Sequence, residues 1–366
     1  MTPLLARSGS DLVARAGRFS VLVQPRTWLV NLLLLGVVAA LFVAAVTIGT
    51  TWLPLGDVVR GIVGAGDSAT NLIVQRFRMP RAVVGVLVGA ALAAAGALVQ
   101  TVTRNPIATP DVIGVTAGAS FGAVATLLAF GGATFGYGGA AAGLSAVGLP
   151  VGAIAGAFLA AVLVLGLATN RKHGGERFST RRVVLAGIVL HSAFIGLVHW
   201  GLASGDVDEA SKAQVWLVGT LHGRGWEHVA GVTLALAVLT PVVVLLGRRL
   251  LGLQLGETSA TTLGVPVVRT QLLVFAVAFA LTGTAVAAAG PVNFVALIAP
   301  QIARRIARRA AAPLISSALT GAALLLAADL AARLLVPGHE LPAGSVTALV
   351  GAPYLLWLVV RSEGHR

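Results

Sequence analysis

The chain is 366 residues long, 57% hydrophobic and only 11% charged, with a mean hydropathy of +0.92, whereas a soluble globular chain carries about 25% charged residues. Its 26 basic against 13 acidic residues, a formal net charge of +13, would suit a nucleic-acid binder unless the positive charges sit in short loops between apolar spans. The absence of cysteine excludes a disulfide framework, an iron–sulfur cluster and cysteine-ligated zinc.

A bilayer-crossing helix needs about 20 mostly apolar residues, and uncharged runs of that length recur from end to end. The basic segment 1–27 shows no cleavage pattern and is expected to stay as a cytoplasmic N-terminal region ahead of a first span over 28–48. An external stretch, 49–81, closes on Arg76-Phe-Arg-Met-Pro-Arg81 and leads into a span over 82–102. The 59 uncharged residues from Val112 to Asn170 hold two spans, 112–130 and 149–169, around the Gly-rich stretch 131–148. Spans over 183–202, 228–247 and 270–289 follow. Gly290-Pro291 then breaks the helical pattern, leaving a short crossing over 290–303 that needs protein neighbours at its broken end. The last two spans are 313–332 and 342–360, with a cytoplasmic tail over 361–366.

Charge fixes the count. Ten crossings with the N-terminus inside put 19 of the 26 basic residues in the cytoplasmic segments, as the positive-inside rule requires. Nine crossings would strand either Arg248, Arg249 and Arg269 or the cluster Arg304, Arg305, Arg308 and Arg309 outside. The expected fold class is therefore an all-α polytopic membrane protein of ten transmembrane helices. Residues 28–360 form a single domain, both termini are cytoplasmic, the lipid bilayer is a partner and nucleic acid is not.

Chemistry inside the spans is sparse. Away from span ends the ionisable residues are His191, His199 and Asp329, and they form no metal-ligand or paired-carboxylate pattern. No catalytic residue, cofactor or metal is expected. Nothing matches the phosphate-cradling GxxxxGK[ST] loop, so an ATP-driven process would need an ATPase on another polypeptide. Asp329 has Arg333 four residues on, the spacing of an i,i+4 pair. His191 and Ser192 are either interhelical hydrogen-bonding groups or, with His199, part of a substrate path. Arg76, Arg78 and Arg81 run against the orienting charge bias; they meet either an acidic partner, since guanidinium pairs carboxylate in bidentate fashion, or lipid headgroups. On the inside, 253–266 predicts a short helix over 257–263 ended by Gly264 at the C′ position, either a membrane-surface element or a docking knob.

These residues together resemble the FecCD-type permeases of binding-protein-dependent ABC importers for ferric siderophores, haem and cobalamin. Arg78-Met-Pro-Arg81, Gly96-Ala-Leu-Val-Gln100, Arg104-Asn-Pro-Ile-Ala-Thr-Pro110, Gly114-Val-Thr-Ala-Gly-Ala119, Trp216-Leu-Val-Gly-Thr-Leu221, Leu255-Gly-Glu257 with Ala260 and Leu263-Gly264, and Glu340-Leu-Pro-Ala-Gly344 stand in the order of that family's motifs. The pattern departs at Ala296 and Gln301, where a Gly and a His are usual. The resemblance implies a ten-helix permease subunit in the plasma membrane of a bacterium, paired with a second copy or a paralogous permease. It further implies two ATPase subunits below and an extracytoplasmic substrate-binding protein above. Arg78, Arg81 and Arg333 would receive glutamates of the binding protein, and Leu255, Gly256, Glu257, Ala260, Leu263 and Gly264 would form the element that couples to the ATPase. The expected cargo is a ferric siderophore, with cobalamin or haem as the alternative; a secondary carrier or membrane enzyme with no ATPase is the remote one.

Overall fold

The computed structural model describes residues 4–8, 11–16, 19–23, 25–49, 52–134, 142–169, 178–205, 207–309, 312–336 and 340–363. The expected cytoplasmic segment contains three short antiparallel strands, β1 (Leu4–Ser8), β2 (Asp11–Ala16) and β3 (Phe19–Val23), paired in the order β1-β2-β3. The rest is a helical bundle. Part of the expected inside segment 170–182, including Arg171, Lys172 and Arg177, lies outside the described residues, as do 135–141 of the Gly-rich stretch and the end of the tail.

Among the described residues, each of the ten expected runs overlaps a helix. These helices are α1 (Pro25–Thr47), α4 (Met79–Thr103), α5 (Val115–Thr134), α6 (Ala142–Ala168), α7 (Thr180–Ser204), α9 (Trp226–Gln254), α11 (Val267–Ala289), α12 (Val295–Ala307), α13 (Leu314–Leu334) and α14 (Ala343–Glu363). Among the described residues seven helices are long and apolar enough to cross a membrane, while Val115–Ala129 and Ala343–Leu358 are apolar but shorter. Helix α12 is the short element expected after the Gly290-Pro291 break: α11 stops at Ala289, Gly290 has φ +74°, and Phe294 adopts φ +68° ahead of Val295.

The stretch before the second span is not the external loop that the charges suggested. Helices α2 (Leu55–Ile62) and α3 (Ser68–Leu72) lead through a π-helical stretch, Ile73–Arg78, straight into α4. Pro80 explains the widened turn: it has no N–H to return to the carbonyl one turn back, and a π turn absorbs the missing bond. Arg78 and Arg81 therefore sit three residues apart on one helical face rather than on a flexible loop.

Small residues set how closely the helices approach. Gly118 and Gly122 of α5 face Gly152 and Gly156 of α6. A Cβ on Gly122 would stand 2.1 Å from the Gly152 oxygen, and one on Gly156 2.1 Å from the Gly118 oxygen. This is the small-xxx-small approach that replaces hydrophobic driving force between membrane helices. Helices α4 and α13 cross in the same way at Gly89 and Gly321. Helix α4 packs against α9, α11, α12 and α13 and is buried along most of its length, so it forms the axis of the bundle.

Candidate functional site

At the start of α4 three guanidiniums and two carboxylates converge. Asp329 of α13 is 1% exposed. Its Oδ1 accepts from Arg81 Nε at 3.1 Å and Arg81 Nη2 at 2.9 Å, and its Oδ2 accepts from Arg333 Nη2. The i,i+4 pair expected from the sequence is thus present, with Arg81 added to it. A buried carboxylate needs such partners, because an unpaired charge in low dielectric is costly. The remaining Arg81 donor, Nη1, reaches Glu340 Oε2 at 2.8 Å, and His222 Nδ1 meets the same oxygen at 2.8 Å. Burial pushes the Glu340 carboxyl up, but the Arg81 bond and charge and then His222 outweigh it and hold the group below the ordinary glutamate range.

Arg78 and Arg333 have a further role. Arg78 Nη1 donates to the carbonyls of Val46 at 2.9 Å and Thr47 at 2.8 Å, and Arg333 Nη1 to those of Ala45 at 3.0 Å and Ile48 at 3.2 Å. These are the last carbonyls of α1, which have no intrahelical donor and carry the negative end of the helix dipole. Gly49 makes room: a Cβ there would stand 2.8 Å from Arg78 Nη2. Arg78, Arg81 and Arg333 are therefore engaged within the chain, a circumstance that the charge pattern does not reveal.

These groups line one wall of a cavity of about 570 Å³ whose other wall is the turn His222–Glu227. Arg224 donates from Nε to the Thr220 carbonyl at 3.3 Å; burial lowers its pKa to about 10 against the opposing charge of Glu227. Trp226 Nε1 donates to the Gln75 carbonyl at 2.8 Å, joining the turn to the π-helical stretch. Backbone contacts position the turn: Gly219, at φ +79°, lies against the Pro291 carbonyl and accepts from the Gly344 N–H at 3.0 Å. Nothing local in the sequence singles out His222 or Arg224. Glu340 opens the motif Glu340-Leu-Pro-Ala-Gly344 and is the sole carboxylate between Asp329 and Glu363, but neither signal tells that it meets Arg81.

The second expected surface lies at the far end of α4, about 38 Å away for 25 residues at 1.5 Å each. A short helix α8 (Val207–Leu217) precedes α9, and α10 (Glu257–Thr262) follows it. Gly264, at φ +77°, ends α10: its N–H reaches the Thr261 carbonyl and the Val265 N–H that of Ala260, each at 2.9 Å. That pair of bonds is a Schellman cap, as the sequence indicated. Leu255, Glu257, Leu263 and Gly264 are exposed and Gly256 is half-buried. Ala260 is 0% exposed; it packs inward instead of lying on the outer face, because the outer face of so short a helix holds only part of its residues. Glu257 accepts from Gln271 Nε2 at 2.9 Å, tying α10 to α11, and a Cβ on Gly256 would lie 3.9 Å from Arg104 Nη1 at the foot of α4.

The third set is not gathered into a site. On α7, His191 is half-buried with Nδ1 lacking a partner, while Ser192 and His199 are exposed on the single chain and Ser192 donates to its own helix at Ile188. Gln301, where the resemblance expects a His, works through its amide. Nε2 donates to Gln100 Oε1 at 3.0 Å and the Pro106 carbonyl at 2.8 Å, and Oε1 accepts from Arg304 at 2.9 Å. Gln100 in turn donates to the carbonyls of Ala296 at 3.4 Å and Leu297 at 3.2 Å. Pro300 has no N–H for the Ala296 carbonyl, and Gln100 supplies the missing donor.

Known proteins align with this chain over most of its length. The model of the FecCD transport family matches residues 35–361. A probable siderophore transport system permease protein of Bacillus subtilis, YfhA, is 35% identical over 93% of this chain and 96% of its own length. The Fe(3+) dicitrate transport system permease protein FecD of Escherichia coli is 37% identical over 79% of this chain and 85% of its own. A cobalamin import system permease protein, BtuC of Halobacterium salinarum, is 38% identical over 79% of this chain and 73% of its own. Among solved structures, a metal-chelate type ABC transporter in an inward-facing conformation superposes with a TM-score of 0.75 at 27% identity, covering 91% of this chain and 99% of that one. With an all-helical bundle, apolar helices of membrane-crossing length and an arginine cluster at the head of its central helix, the chain belongs to the FecCD transport family.

Proposed function

We propose that the chain is the membrane-spanning permease subunit of an ATP-driven, binding-protein-dependent importer whose cargo is a ferric siderophore. The observation that carries this reading is the family match over residues 35–361, sharpened to iron chelates by the siderophore and Fe(3+) dicitrate permeases among its relatives. In this reading residues 28–360 are one ten-crossing domain in the cytoplasmic membrane with both termini inside. The arginine end faces the substrate-binding protein, and α10 docks one of two ATPase subunits. The permease pairs with a second copy or a paralogue, and the exposed face of α7 with His191, Ser192 and His199 borders the path. The subunit itself supplies no ATP hydrolysis. Differential contacts at its two ends let nucleotide and cargo bias the same pair of conformations.

The test is uptake by proteoliposomes holding the chain, its ATPase and its binding protein, offered iron-labelled catecholate, hydroxamate and citrate chelates beside cobalamin and haem. ATP-dependent accumulation of one ferric chelate is the expected result. Cobalamin uptake without iron uptake would move the assignment to the alternative that the Halobacterium salinarum relative favours, and uptake independent of the ATPase would end the importer reading.

A further inference from the structure

We infer that Glu340 is a built-in stand-in for a partner's carboxylate on Arg81, and that docking exchanges the one carboxylate for the other. The inference rests on the docking reading above and concerns how that site works.

The two carboxylates on Arg81 are held differently. Asp329 is sealed in, with its side chain 1% exposed and both oxygens engaged, one by Arg81 and the other by Arg333. Removing it would leave two guanidiniums short of a counter-charge in a buried place. Glu340 sits at the cavity wall, its side chain 30% exposed, and its Oε2 is shared between Arg81 and a His222 whose side chain is 70% exposed. It precedes α14 and belongs to neither helix that carries the arginines. Arg81 is itself only 9% exposed, and its Nη1 points at Glu340. A carboxylate entering from the cavity reaches that donor by taking the position of the Glu340 carboxylate.

Exchange suits this geometry energetically. One carboxylate replaces another, so the count of three guanidiniums against two carboxylates is kept and no buried charge is left unpaired at the end. A partner group without a carboxylate gains nothing from displacing Glu340, which makes the device selective against other acceptors. It also keeps the empty permease from offering a bare guanidinium to free anions. The released Glu340 stays beside His222 and faces solvent, where its charge is hydrated.

The experiment uses the full chain in lipid nanodiscs with its ATPase subunits. The purified binding protein that supports uptake, loaded with its chelate, is titrated at one ionic strength. Wild type is compared with Glu340→Gln, which removes the competing charge at nearly constant shape, and with His222→Asn, which removes one holder of Glu340. Arg81→Lys serves as the docking control. The expected result is a dissociation constant about tenfold lower for Glu340→Gln, about 1.4 kcal/mol, a smaller change in the same direction for His222→Asn, and weaker docking for Arg81→Lys. If docking depends on Arg81 but Glu340→Gln docks equally well or more weakly, the exchange is overturned and the docking reading stands. If Arg81→Lys docks as wild type does, the docking reading fails and takes the exchange with it. Should Glu340→Gln fail to fold, the sign of the His222→Asn change decides.

Discussion

Asp111 shows how a single group can carry an unrelieved cost. It lies between α4 and α5, and Thr116 donates to its Oδ1 at 2.6 Å. Burial raises its pKa from 3.8 to about 6, with the Thr116 bond opposing the shift. A raised carboxyl pKa means the folded chain binds that proton more tightly than the unfolded one. Stability is therefore highest at low pH, falls as pH rises through about 4 to 6, and stays reduced above that window. Asn accepts the same Thr116 bond without a charge. Asp111→Asn is accordingly expected to raise the melting temperature of the detergent-solubilised protein by roughly 2 °C at pH 8, with the gain vanishing toward pH 4; a gain of equal size at both pH values would contradict the burial argument. The arginines proposed for docking require more care, because Arg78 and Arg333 cap α1. Replacing either one removes donors from α1 as well as charge from the cavity, and a fall in docking there needs a matching melting curve before it is read as a lost contact.

The long helices were legible in the sequence because they are runs of about 20 apolar residues bounded by charge or by Gly and Pro, whereas α2, α3 and α8 are too short to leave such a run. Helix α12 was legible as a short element because Gly290-Pro291 leaves too little chain for a long one. The cap on α10 followed from Gly264 alone. The π-helical entry to α4 was not: charges read as a loop when the decisive residue, Pro80, permits both. The pairing of Arg81 with Asp329 and Glu340 spans 248 and 259 residues of sequence and has no local signature. Ala260 was assigned to the docking face because its family motif is one unit, whereas the helix divides that motif between an inner and an outer side. That division supplies a prediction for α10. Leu263→Asp changes a side chain that is 65% exposed and is expected to weaken ATPase association at least about tenfold with the melting temperature unchanged. Ala260→Phe forces a ring into a filled space, costs about 1–3 kcal/mol, and is expected to lower ATPase association and melting temperature together. Co-purification of the ATPase beside a thermal melt separates the two; a stable Ala260→Phe protein that fails to bind ATPase would return Ala260 to the surface.

On the scale of the whole molecule, α4 joins the arginine cluster at its head to the foot where Arg104 lies beside Gly256. Near that foot Gln100, Gln301, Arg304 and the Pro106 carbonyl lock α4, the following loop and α12 together. Higher up, the close approach of Gly96 to the Ala296 carbonyl leaves no room for the two helices to slide apart by small steps. Packed elements of this kind shift between discrete arrangements, so in the proposed importer a signal from one end would have to move α4 and α12 as a unit. Thermodynamic linkage then fixes a relation between the ends: if nucleotide on the ATPase changes binding-protein affinity by some factor, binding protein must change the coupled nucleotide affinity by the same factor. Gln301→Leu keeps the volume of the side chain but removes both amide functions of the lock, leaving Arg304 and the Pro106 carbonyl without it. Both partners are expected to bind this variant still, since neither contacts Gln301, which is 1% exposed, while the shared coupling factor falls toward 1. Gln301→His can retain one donor and one acceptor and is expected to preserve most of the factor. Paired titrations, binding protein with and without nucleotide and nucleotide with and without binding protein, measure the factor twice. Full coupling in Gln301→Leu would show that the signal between the two ends bypasses the α4–α12 lock.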